Sequence, residues 1–187
     1  MTTATLTPRR HENRQGAVHE SARVDNLLIG PATLDDADAI AAIYNQGIED
    51  RIATLESDLR TPQERRQWLS ARGPRHPVIV AAADGRVVGW GSLNQFNPRR
   101  VYDYVADFSV YVERSWRGRG VGGRLLERLV ALAGELGYHK MVLAALPFNA
   151  AGLALYRRFG FRRGGTYREQ GRLDGRWVGV LIMEKLL

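Results

Sequence analysis

Residues 117–123 read Arg-Gly-Arg-Gly-Val-Gly-Gly, between a strand-like run (Ser109-Val110-Tyr111-Val112) and an amphipathic segment. Val121, Leu125, Leu129 and Leu132 fall on one stripe of that segment, which predicts a helix from about Gly120 to Leu136. A strand, a glycine loop and a helix start bring unpaired first-turn amides, the positive end of a helix dipole and two guanidinium groups to one spot. Such a spot binds phosphate. The glycines let the backbone approach the anion where a side chain would hold it off. The chain is therefore expected to hold a pyrophosphate-containing cofactor.

The loop alone leaves the cofactor open. Gly118-x-Gly120-x-x-Gly123 matches the dinucleotide fingerprint, which needs an acidic ribose partner about 20 residues further on. The next strand-like run, Lys140 to Leu146, carries no Asp or Glu. A P-loop ends in Gly-Lys-Ser/Thr, whereas Gly122 is followed here by Gly123 and Arg124. A glycine-rich turn ahead of an exposed basic helix start is the remaining plain reading.

A chain of 187 residues suits one domain with one core, and 44% apolar residues can fill it. No run of about 18 apolar residues predicts a membrane span, and the first 23 residues lack a secretory apolar stretch. With no cysteine there is neither a disulfide nor a thiolate metal site. His11, His19, His76 and His139 are scattered, so no metal site is expected. These features predict a cytoplasmic protein. The net charge of +7 raises nucleic-acid binding, but no block of like charges occurs. Arg65-Arg66, Arg99-Arg100 and Arg157-Arg158 read as solvated faces, and the excess suits an anionic cofactor.

Residues 1–23 are polar and aperiodic, which predicts a flexible extension ahead of one domain over 24–187. A strand at Leu27–Ile29 leads to an N-cap at Thr33 and a helix burying Ile40, Ile43 and Tyr44. Thr61-Pro62 opens a second helix carrying Trp68 and Leu69. Pro77–Ala82 and Val87–Trp90 flank an Asp84-Gly85 turn and form a hairpin. Further strands are expected at Tyr102–Val112, 140–146, Arg162–Tyr167 and Arg176–Met183, with a helix at about 149–159.

Arg117-x-x-Gly120-x-Gly122 after a strand resembles the acetyl-CoA signature of the GCN5-related N-acetyltransferases (GNAT). Asn149-Ala-Ala-Gly-Leu-Ala-Leu-Tyr156-Arg-Arg-Phe-Gly160-Phe161 resembles the second signature of the same superfamily. The resemblance implies an α/β GNAT fold: a mixed, mostly antiparallel sheet of about six to seven strands with about four helices. It implies acetyl-CoA as co-substrate, no metal, acyl transfer to an amine, and a homodimer. Main-chain groups of Val110, Tyr111 and Val112 would line the pantetheine, with a Val110 amide polarising the thioester. Arg117, Gly118, Arg119, Gly120, Val121, Gly122 and Gly123 would hold the pyrophosphate, and Asn149 would reach the pantetheine arm. Tyr156 would be the general acid; read without the family, it is equally an aromatic packing its helix on the sheet. Asp107, in an apolar strand where burial is costly, would be the general base, directly or through water.

Nearly the whole chain from about residue 27 is similar to the phosphinothricin and arsinothricin N-acetyltransferases. The matching segments are Ile43–Thr54, Val87–Ser92, Arg99–Tyr102, Ser109–Val112 and Arg172–Trp177. The arsinothricin branch fits best through Asp50-Arg-Ile-Ala-Thr54 and Gly171-Arg-Leu-Asp-Gly-Arg-Trp177. Such relatives imply a small-molecule amine substrate, an anionic amino-acid analogue such as phosphinothricin, arsinothricin or methionine sulfoximine. Arg99 would hold its acid group, with Thr54 and Tyr102 shaping the pocket; Arg99 also reads as surface charge in a loop. Asp107 stands where the family usually has Glu, one methylene shorter. Gly179, Leu143 and Ala144 replace polar family residues, which implies a more apolar pocket. Two alternatives remain at this point: a protein or peptide N-acetyltransferase with an open groove, and a non-catalytic coenzyme A-binding protein.

Overall fold

A computed structural model describes residues 26–187. The extension expected over 1–23 lies outside the described residues. Seven strands form one sheet: β1 (Leu28–Pro31), β2 (Val78–Ala83), β3 (Arg86–Gln95), β4 (Val105–Val112), β5 (Lys140–Ala145), β6 (Arg162–Leu173) and β7 (Arg176–Leu186). Their order is β1-β2-β3-β4-β5-β7-β6, antiparallel throughout except between β4 and β5. Four helices complete it: α1 (Ala37–Glu49), α2 (Pro62–Ser70), α3 (Val121–Glu135) and α4 (Ala150–Arg158). This is the GNAT fold expected from the sequence.

Alternation along the strands divides the apolar residues between two layers. Val78, Val80 and Trp90 pack with Ile40 and Ile43 of α1 and with Trp68 and Leu69 of α2. Ile79, Ala81, Leu93, Ala106 and Phe108 pack on the other face with Leu125, Leu126 and Leu129 of α3. The approach of α3 depends on Gly91: a Cβ there would stand 2.8 Å from Leu129 Cδ1 and 3.1 Å from the Ser109 carbonyl. Both early helices start where the sequence signals them. Thr33 and Asp36 form a capping box ahead of α1, and Thr61 and Glu64 form another at α2. The β2–β3 hairpin turns at Asp84 and Gly85, both with positive φ, as a two-residue turn requires.

Two strands depart from the sequence reading. The strand expected from Tyr102 begins only at Val105, because Arg100–Tyr102 forms a single 3-10 turn. The Asn97 side chain accepts from the Arg99 amide at 2.9 Å and bends the chain after Pro98, so the extended run starts late. β6 continues well past Tyr167 to Leu173. Register shifts at Arg163/Gly165 and Tyr167/Gly171 break its alternation, which is why its second half carries no two-residue period.

The break that matters for function lies at mid-sheet. β4 and β5 pair in parallel over only three rungs, Val105↔Lys140, Ala106↔Met141 and Asp107↔Val142. β4 runs on to Val112, paired only with β3. The two central strands therefore part just after Asp107.

Candidate active site

The loop after β4 turns twice through the left-handed region, at Gly118 (φ 76°) and Gly120 (φ 86°). A Cβ at either position would meet nothing within 4 Å, so backbone conformation rather than crowding demands glycine there. Gly120 is the N-cap of α3 and makes no side-chain cap, which leaves the first-turn amides facing the loop. Below it a cavity of about 460 Å³ runs toward Tyr156. Its walls include the β4 residues Val110, Tyr111 and Val112, the loop residues Arg117, Gly118, Gly120, Gly122 and Gly123, and Asn149 and Tyr156 on the α4 side. A cradle of bare amides opening into a mostly apolar channel fits a pyrophosphate with a thioester-bearing arm. Coenzyme A has that shape, so these residues would hold it, and the bound thioester would supply the activated acetyl group.

Asn149 caps α4, its side-chain oxygen accepting from the Gly152 amide at 3.0 Å. Arg117 donates from Nε to the Val112 carbonyl at 3.1 Å and pairs with Asp50 through Nη1. Arg119 lies outside the cavity walls, its guanidinium 5.2 Å from the centre of the Trp116 ring. The Val121 side chain is 1% exposed in the core under α3, so only its main chain faces the loop.

Asp107 stands on the last β4–β5 rung, and the Phe108 amide donates to its Oδ1 at 2.8 Å. Burial pushes its carboxyl up to about 6, against the lowering effect of that amide. Tyr156 packs edge-on to Phe108 (5.8 Å between ring centres) and beside Phe161. Burial first, and the neighbouring Asp107 charge second, push its phenol up to about 12. At neutral pH the pair is thus mostly carboxylate and phenol, a proton acceptor and a proton donor close enough to feel each other. Tyr111 is raised as well, through burial and then through Tyr44 and Tyr156.

Thr54, Arg99 and Tyr102 are not among the cavity walls. Thr54 accepts from the Glu56 amide at 3.1 Å, Arg99 is exposed, and Tyr102 packs edge-on to Phe96. Arg158 does line the cavity, with Nη2 3.0 Å from where a Cβ on Gly123 would be. The sequence reading took it for a solvated charge. Helical spacing accounts for its place, because Arg158 follows the cavity-lining Ala154 and Leu155 by four and three residues, and these follow Ala151 by three and four. Ile52 and Ala53, which wall the cavity opposite α4, carried no chemical signature. Among the described residues no group of three or more His, Asp or Glu could hold a metal ion.

The acetyltransferase (GNAT) family model matches residues 40–161. An L-methionine sulfoximine/L-methionine sulfone acetyltransferase from Pseudomonas paraeruginosa is 34% identical over 83% of this chain and 92% of its own. A ribosomal-protein-alanine N-acetyltransferase from Brucella melitensis shares 38% identity at a TM-score of 0.83, covering 86% of this chain and 99% of its own. A phosphinothricin acetyltransferase from Sinorhizobium meliloti, solved with acetyl-CoA, shares 27% identity at a TM-score of 0.82, covering 87% and 89%. The chain belongs to the GNAT acetyltransferase family, and its activity is acetyl-CoA-dependent N-acetyl transfer. The non-catalytic alternative falls away.

Proposed function

We propose that the protein acetylates the α-amine of a small anionic amino-acid analogue of the phosphinothricin, arsinothricin or methionine sulfoximine type. The observation that carries this reading is a half-buried carboxylate, Asp107, close enough to a half-buried phenol, Tyr156, to raise its pKa, where the sheet parts beside the cavity that Tyr156 lines. The similarity to the methionine sulfoximine and phosphinothricin enzymes supplies the acceptor class.

In the reaction the amine nitrogen forms a bond to the acetyl carbonyl carbon and the carbon–sulfur bond breaks. Asp107 takes the proton the amine must lose, directly or through one water, as its short side chain favours. The Val110 amide is the donor for charge developing on the carbonyl oxygen. Tyr156 gives its proton to the departing sulfur, and its high pKa keeps that proton available at neutral pH. Arg117, Arg158 and the loop amides bind the phosphates, and Asn149 the arm. For the acceptor's acid group we propose Arg99, with Tyr102 and Thr54 shaping its surroundings. None of the three walls the cofactor cavity, which accords with an acceptor entering from a different side.

Acetylation of an N-terminal alanine on a peptide is the second reading, favoured by the similarity to the Brucella enzyme. Mass spectrometry of products from acetyl-CoA with methionine sulfoximine separates the two. An acetyl group on the α-nitrogen supports the proposal. Transfer only to an alanine-initiating peptide overturns it.

A further inference from the structure

The last turn of α1 grips the segment that leads into the glycine loop. Gln46 Oε1 accepts from the Arg114 amide at 2.7 Å. Glu49 and Asp50 both pair with the Arg114 guanidinium, at 3.2 and 2.7 Å. Asp50 also pairs with Arg117 through its second oxygen. Of these groups the Asp50 side chain is the most shielded, 21% exposed against 51% for Arg114 and 53% for Glu49. The bond from Arg114 holds its carboxyl below the ordinary value, against burial and with help from Arg117, so it stays charged at neutral pH. Arg117 carries more donors than these contacts use. A guanidinium has five N–H groups, enough to serve Asp50, the Val112 carbonyl and an anion together.

The other side of Asp50 leads to the acceptor end. Arg51 follows in the left-handed region (φ 56°), an uncommon conformation for a residue with a side chain, and Ile52 and Ala53 then wall the cavity. Beyond the turn, Arg51 reaches Asp174 in the β6–β7 hairpin at 3.6 Å, and Leu55 packs with Leu173 and Val178. One carboxylate thus sits between the first residue of the phosphate loop and the wall facing α4.

We infer that Asp50 is a positioning residue that orients Arg117 for the cofactor's pyrophosphate and transmits cofactor binding to the Arg51–Glu56 segment, of which Ile52 and Ala53 wall the cavity. The inference rests on coenzyme A occupying the cavity, and it is independent of the acceptor. Phosphate held by Arg117 fixes the guanidinium, the guanidinium fixes Asp50, and the left-handed turn at Arg51 carries that restraint to Ile52 and Ala53. Cofactor binding therefore completes the acceptor site before the amine arrives.

Hydrogen–deuterium exchange with coenzyme A alone as the probe tests this, using the full chain and the variants Asp50→Asn and Asp50→Glu. In the wild type, coenzyme A is expected to protect both 113–123 and 50–56. Asp50→Asn is expected to weaken coenzyme A binding about fivefold. At saturating ligand it keeps protection of 118–123 and loses that of 50–56, and Asp50→Glu restores it. A merely structural role predicts a lower melting temperature with both segments still protected at saturation, and that result overturns the inference. Wild-type protection confined to 113–123 overturns it too. Because no acceptor is present, an enzyme that acetylates some other amine leaves the expected result intact.

Discussion

Asp107 is paired with Val142, and that pair is the last rung between β4 and β5. The strand that delivers the carboxylate loses its neighbour at the next residue, so the carboxylate lies beside a gap in the sheet while remaining shielded by it. Tyr156 reaches the same gap from α4, closely enough that the Asp107 charge raises its phenol. The parting of the two strands leaves a half-buried carboxylate and a half-buried phenol near one another at mid-sheet.

Asp107→Asn removes the proposed proton acceptor while keeping the side chain's size. A fall of about 10²- to 10⁴-fold in kcat/KM is expected, with little change in the KM for acetyl-CoA. In the wild type, kcat/KM rises with pH through about 6 as the carboxylate forms, and the variant lacks that limb. Steady-state kinetics from pH 5 to 8 checks both.

The same substitution has a signed effect on stability. The folded state raises the Asp107 pKa from 3.8 to about 6, so the folded protein binds a proton more tightly than the unfolded chain. Its contribution is most favourable below pH 3.8 and is lost as pH rises through about 6. Asp107→Asn is therefore expected to gain stability relative to the wild type between pH 4 and pH 7, by on the order of 3 kcal/mol at the top of that window. Urea denaturation of both proteins at pH 5 and pH 8 reads the difference directly.

Tyr156→Phe keeps the ring that packs on Phe108 and Phe161 and deletes only the hydroxyl, and with it the proton the proposal assigns to the departing sulfur. A loss of about 10²-fold in kcat with a nearly unchanged melting temperature is expected. A loss of fold stability without loss of turnover would return Tyr156 to a packing role.

Gly118→Ala and Gly91→Ala fail for different reasons. At Gly118 there is room for a methyl but φ is positive, so about 1 to 2 kcal/mol of backbone strain appears in the cofactor loop. The expected outcome is a raised KM for acetyl-CoA with most of the fold stability kept. At Gly91 the methyl meets Leu129 and the Ser109 carbonyl, so about 1 to 3 kcal/mol of stability is lost and cofactor affinity is spared. Thermal melts beside acetyl-CoA titrations separate the two.

The cofactor end of the site was legible because it is written in local sequence. Glycines at 118 and 120, a strand before them and an amphipathic helix after them reveal a backbone conformation that few other residues adopt. Asp107 stands out in the sequence because a carboxylate among apolar strand residues is costly to bury, and the structure does place it half-buried beside the parting of the sheet. Arg158 was missed because its neighbour across space, Gly123, lies 35 residues away in sequence. Asp50 enters the sequence reading only as the first residue of the Asp50–Thr54 segment, without a role of its own, because its partners Arg114 and Arg117 belong to a different element. The late start of β4 turned on a single side-chain bond from Asn97, below the resolution of apolar patterning.

The most direct test of the proposed function is release of coenzyme A from acetyl-CoA, followed with a thiol reagent. The acceptors are phosphinothricin, arsinothricin, methionine sulfoximine and an alanine-initiating peptide, with Asp107→Asn run alongside. Release with at least one of the amino-acid analogues, faster than with the peptide and suppressed by the substitution, is the predicted result. Release with the peptide alone, or release that Asp107→Asn leaves unchanged, would contradict it.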